Sequence, residues 1–96
     1  YKRQEFGNIK VYIIGIKPTV DRIYLDEEER IFNSSIKLLA SDDAYLEYIN
    51  IWDPMLNQDG TRMPELFIED GLHMNEKGYE IWTKKVRESL GKDFNL

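Results

Sequence analysis

Residues 11–16, VYIIGI, form an almost unbroken apolar, β-branched run, and it limits what the chain can fold into. A strand that is apolar at successive positions cannot keep one face in water. It must be covered on both faces, as strands of parallel sheets are. Pro18 has no N–H to give to a ladder, so the first strand is expected over NIKVYIIGIKP, Asn8 to Pro18. YLEYINIW, Tyr45 to Trp52, reads as a second strand, closed by Asp53-Pro54. Parallel strands need a long crossover, most often a helix. DEEERIFNSSIKLLASDD, Asp26 to Asp43, supplies it. There Phe32, Ile36, Leu39 and Ala40 recur at helical spacing, and Asp26 with the glutamates after it suits the positive end of a helix dipole.

A second helix is expected from Asn75 to Lys92, with Tyr79, Trp82, Val86 and Leu90 as its apolar stripe. Asn75 is a natural N-cap, Gly78 lets the first turn approach a neighbour closely, and Gly91 is placed to stop the helix. A loop from Leu56 to Glu65 carries an Asp-Gly turn at Asp59-Gly60. The order βαβα predicts an α/β fold with a parallel sheet and a right-handed crossover. At 96 residues the chain is one domain at most, and two parallel strands make a poor sheet alone. The first residue is Tyr1 rather than methionine, so a processed, trimmed or partial chain is expected. Either further polypeptide precedes Tyr1 or another copy completes the sheet.

Composition closes several function classes. A net charge of −5 disfavours nucleic acid and anionic membrane faces. No apolar run approaches the roughly 20 residues of a membrane span. There are no cysteines, which excludes disulfides and thiolate metal sites and leaves the compartment open.

The chemistry concentrates in FIEDGLHMNEKGYEIW, Phe67 to Trp82, which holds the chain's single histidine, His73. A lone histidine is most simply a surface or satisfied core residue. As a metal set, Glu69, Asp70 and His73 have no specific ligand spacing. The functional alternative is a general base. Asp70, three residues earlier, could hold one ring nitrogen while the other faces a cleft, and Gly71 supplies the freedom for that bend. The loop carrying the pair follows a strand, so it emerges at the carboxyl end of the sheet, where open α/β folds bind ligands.

DGLHMNEKGYEIW, preceded by YINIWDPMLNQDGTRMPELFIE, closely resembles the C-terminal part of the SGNH (GDSL-type) esterase and lipase superfamily. It looks most like small acylhydrolases related to lysophospholipases, acetylhydrolases and carbohydrate deacetylases. That family's last block carries Asp-x-x-His, then Asn-x-x-Gly-Tyr, matched here by Asp70, His73, Asn75, Gly78 and Tyr79. The IGIKPT strand end, RIFNSSIK with Asn33, and the DPML stretch also resemble it, in the right order along nearly the whole chain. The resemblance implies the C-terminal βαβα portion of a flavodoxin-like, three-layer α/β/α sandwich with a parallel sheet. It implies hydrolysis of small acetyl or short acyl esters through an acyl-enzyme. His73 would be the general base and acid and Asp70 its orienter, with no metal or organic cofactor required.

The family's Gly-Asp-Ser and Gly-x-Asn-Asp blocks are not in this sequence. Ser34, Ser35, Ser41 and Ser89 lack a glycine-rich turn, and Asn8, Asn33, Asn50 and Asn57 lack the oxyanion-hole context. Residues 1–96 are therefore expected to be the C-terminal segment of one domain, inactive alone, completed by an N-terminal half or a second copy. The alternative is a non-catalytic, truncated module that self-associates through its open sheet edge. Leu66 and Phe67 are expected to anchor the loop rather than line an acyl pocket. Trp52 and Trp82 are expected in the core, and Asp53 and Lys17-Pro18-Thr19 in structural roles.

Overall fold

A computed structural model describes residues 9–94. Strand β1 (Val11–Ile14), helix α1 (Asp26–Ser41), strand β2 (Leu46–Ile49) and helix α2 (Glu76–Phe94) follow in the expected order. Short 3-10 turns at Ile23–Leu25, Asp53–Met55 and Pro64–Leu66 punctuate the connections. The strands pair in parallel, with Val11 opposite Leu46 and Ile14 opposite Ile49, and among the described residues the sheet has these two strands. Backbone bonds from Val11 N to Tyr45 O (2.8 Å) and Gly15 N to Ile49 O (3.0 Å) extend the ladder at both ends. Asn8, the expected start of the first strand, lies outside the described residues.

Both strands are shorter than expected. Past Ile14 the extended chain is carried by a side chain instead of a strand. Asn33 on α1 accepts from Ile16 N at 2.8 Å and donates to Ile16 O at 3.2 Å, imitating a neighbouring strand. Gly15 leaves room for these side chains, since a Cβ would lie 2.7 Å from the Tyr48 ring and 2.9 Å from Asn33 Oδ1 and would push them aside. Asn33→Leu is expected to cost about 2 kcal/mol, since both Ile16 groups lose their partner. A lower urea midpoint with an unchanged slope would register it.

The buried face of α1 differs from the expected stripe. Phe32 (49% exposed) and Leu39 (57%) face outward, while Glu29 and Asn33 are buried and Ile36 and Ala40 half-buried. The inner face is shifted toward Glu29 and Asn33 because it carries polar contacts as well as apolar ones. On α2, Gly78 and Ser89 are buried, Trp82, Val86 and Leu90 are half-buried, and Tyr79 is 52% exposed. Gly91 does not stop α2, which continues to Phe94; Gly91 does not adopt the positive φ that ends a helix. Burial of both faces of β1 is incomplete too, with Ile14 41% exposed beside a sheet edge.

The core that positions the loops is Met55, Leu66, Phe67 and Met74, packed against Val20, Met63, Ile81 and Trp82. Each fully buried side chain of this size contributes about 1.5–3 kcal/mol. Leu66 and Phe67 thus anchor, as expected, and Trp52 is buried. Among the described residues, no helix is long and apolar enough to cross a membrane.

Candidate active site

The loop between β2 and α2 is built on that core. Phe67 and Met74 form an antiparallel bridge, both buried, and Ile68 N donates to His73 O at 2.9 Å. Residues 68–73 therefore make a tight excursion from a fixed base. Asn75 closes the base. Its backbone N donates to Leu66 O (2.9 Å), its Nδ2 to Glu65 O (2.8 Å), and its Oδ1 accepts from Gly78 N (3.0 Å) as the N-cap of α2. A Cβ on Gly78 would clash with the Leu66 carbonyl oxygen and come 3.0 Å from Met74 Cβ, so only glycine lets α2 start here.

At the tip, Gly71 takes φ +65°, a conformation that favours glycine. Its N–H donates to Ile68 O at 2.9 Å. This bend brings Asp70 back toward His73. Asp70 Oδ1 accepts from the backbone N–H of Leu72 (2.8 Å) and His73 (2.9 Å), and Asp70 Oδ2 lies 2.5 Å from His73 Nδ1. The Asp70 carboxyl is pushed from the ordinary 3.8 down to about 2, first by the hydrogen bond to the His73 ring and then by the two amides. An ionised carboxylate can only accept, so Nδ1 carries a proton, and in the neutral imidazole the lone pair then lies on Nε2. The imidazole is 70% exposed and Asp70 41% exposed.

Asp70's folded value lies below its unfolded one. Its stabilisation is complete above the ordinary 3.8 and is lost as pH falls toward about 2. Asp26, held down chiefly by its hydrogen bond to Arg62, acts with the same sign. Glu29, pushed up chiefly by burial, acts oppositely: its ionised form costs stability at neutral pH, and acid relieves that cost. The urea midpoint is expected to fall through this acid window, and to fall less in Asp70→Asn.

The remaining candidates are dispersed. Ser35 Oγ donates to Ile31 O (2.9 Å) and Ser41 Oγ to Leu38 O (2.6 Å), within their own helix. Ser34 is exposed on α1 and Ser89 buried on α2. Among the described residues, none of these hydroxyls hydrogen-bonds the His73 ring. Asp53 accepts from Asn50 Nδ2 at 2.7 Å and shapes the turn after β2. Glu69 is exposed, and no group of three or more His, Cys, Asp or Glu among the described residues could hold a metal ion. A depression of about 830 Å³ along α2, lined by Glu76, Glu80, Lys84 and Arg87 among others, includes neither Asp70 nor His73 and reads as a solvated helix face.

One residue escaped the sequence reading. Arg62, in the loop after β2, is buried, with its side chain 5% exposed. Nη1 donates to Thr19 O and Nη2 to Asp26 Oδ1, each at 2.6 Å. The guanidinium also lies 4.9 Å from the centre of the Trp52 ring. Nothing local in QDGTRMPE distinguishes it from a solvated loop arginine, because its partners are far away in sequence.

No family model matches the chain. The N-acylneuraminate cytidylyltransferase of Escherichia coli O18:K1:H7 (strain RS218 / NMEC) is 25% identical over 88 residues, covering 92% of this chain and 20% of that protein. A solved structure from Streptococcus pneumonia, described as "a putative platelet activating factor", superposes with a TM-score of 0.74 at 23% identity, over 92% of this chain and 44% of that one. The chain thus spans about a fifth of the curated relative and less than half of the solved chain. The likeness to the solved structure establishes shared architecture: these two strands and two helices form an α/β unit of the kind found within a longer chain.

Proposed function

We propose that residues 1–96 are the C-terminal segment of an SGNH-type serine acylhydrolase domain, supplying the Asp70–His73 half of its catalytic site. The observation that carries this reading is the Asp70 Oδ2–His73 Nδ1 contact at 2.5 Å, with a carboxylate held ionised and an exposed ring. The partial coverage of the solved neighbour supports the segment's incompleteness. In the completed site, His73 Nε2 takes the proton of a serine hydroxyl outside this chain as that oxygen attacks the ester carbonyl. The imidazolium is stabilised by Asp70 and returns the proton to the leaving alkoxide. Water then attacks the acyl-serine, giving up its proton to the same nitrogen, which passes it to the serine oxygen as the acyl–oxygen bond breaks and the carboxylic acid leaves. The substrate class is a small acetyl or short acyl ester.

The chain alone is expected to hydrolyse p-nitrophenyl acetate no faster than buffer. Adding a companion polypeptide with the Gly-Asp-Ser and Gly-x-Asn-Asp blocks is expected to restore turnover. A coding sequence without such blocks upstream of Tyr1 overturns the reading.

A second reading is favoured by one observation. Ile31, Phe32, Leu38 and Leu39 expose an apolar face on α1, and Ile14 lies exposed on β1. Large apolar side chains exposed together along one helix are a feature of association surfaces. This face fits a non-catalytic module that pairs with a second copy through its sheet edge. Size-exclusion with light scattering separates the two: a well-folded monomer counts against the module.

A further inference from the structure

We propose that Arg62 is a positioning residue for the Asp70–His73 turn, acting through the segment Thr19–Asp21. A buried guanidinium is costly unless its charge and donors are matched. Arg62 meets that cost with partners on two elements, Asp26 at the start of α1 and the Thr19 carbonyl after β1, while stacking on Trp52. Glu29 Oε1 adds a longer-range charge at 3.6 Å. The bond to Thr19 links positions 43 residues apart, so it fixes where the chain runs after leaving β1.

The catalytic turn leans on that same segment. Asp21 N donates to Gly71 O at 2.9 Å. The approach is close: a Cβ on Gly71 would come 3.2 Å from Asp21 N, a backbone atom, and into contact with Val20. Gly71 lies between Asp70 and His73, whose own side-chain bonds stay inside the turn. Those local bonds orient ring and carboxylate relative to each other. The Gly71–Asp21 bond ties the pair to the segment that follows β1, and Arg62 holds that segment in place through Thr19 O. Lysine cannot substitute, because one ammonium lacks the planar fork that serves Thr19 O and Asp26 together while stacking on Trp52.

The catalytic meaning rests on the hydrolase reading, but the test does not use activity. The 96-residue chain, ¹⁵N-labelled, would be compared with Arg62→Lys and Asp26→Asn by amide exchange and by imidazole ¹⁵N shifts above neutrality. In Arg62→Lys the Asp21 amide, which donates to Gly71 O, is expected to exchange about ten-fold faster, with the Leu72 and His73 amides of the released turn following it, while α2 amides such as Val86 keep their rate. The Nδ1–H tautomer of His73 is expected to lose its dominance. Asp26→Asn should show the same pattern more weakly, and carries the test if Arg62→Lys does not fold. Equal acceleration in the turn and α2, or no change at the turn, overturns the proposal and leaves Arg62 a purely structural residue. Turn-selective loosening in a chain that no companion makes active would keep the Arg62 role and remove the hydrolase reading. Uniform loosening beside His73-dependent turnover would do the reverse.

Discussion

On the acylhydrolase reading proposed above, His73→Ala, in the chain completed by a nucleophile-bearing half, is expected to lower kcat for p-nitrophenyl acetate about 10⁴–10⁶-fold with little change in KM. The size follows from the role. Without an imidazole, no group at this position accepts the serine proton as the carbonyl is attacked. Asp70→Asn is expected to lose a comparable amount by another route. An asparagine amide placed against Nδ1 can donate to it, which forces the proton onto Nε2 and removes the base. Neither change should unfold the protein, because His73 is 70% exposed and Asp70 makes its bonds within one turn. A His73→Ala assembly that keeps the parent rate ends the catalytic assignment.

Gly78→Ala is the substitution with the largest expected effect on folding. Alanine is intrinsically the better helix former by about 1 kcal/mol. Here its methyl group would press on the Leu66 carbonyl oxygen, a backbone atom that cannot swing aside, and on Met74. That carbonyl already accepts from Asn75 N, so moving it opens the base of the loop that carries Asp70 and His73. The net cost is about 2–3 kcal/mol, a large share of a small domain's total stability. Thermal unfolding followed by far-UV circular dichroism would show it. A midpoint at or above the parent's would mean α2 can shift away from Leu66 freely, and that the tight start of the helix is not needed.

These effects bear on what the sequence makes legible. The βαβα order, the Asp59-Gly60 turn, the Asn75 cap, the close approach at Gly78 and the Asp70–His73 contact are all local, and local chemistry is written in adjacent residues. Gly60 at φ +88° and Gly71 at φ +65° sit where turn chemistry puts them. The misses are non-local. Periodicity favoured Phe32 and Leu39 as the inner face of α1, but Glu29 and Asn33 are buried instead, since Arg62 and the Ile16 backbone demand polar partners there. Hydrophobic spacing has no term for a side chain that replaces a strand. Arg62 was invisible for the same reason, its donors being spent on Thr19 and Asp26. Gly91 misled because a glycine ends a helix only when the chain turns left-handed there.

The bonds of Asp70 to Leu72 and His73 are local, while one long tie, from Asp21 N to Gly71 O, seats the turn in the fold. Contacts of short sequence separation cost little loop entropy and form early. The Asp70–His73 pairing is thus a low-contact-order unit, whose placement in the fold rather than its closure depends on the distant Asp21 segment. On the proposed reading, a companion polypeptide would meet an Asp70–His73 pair already oriented, and would need only to be seated against it.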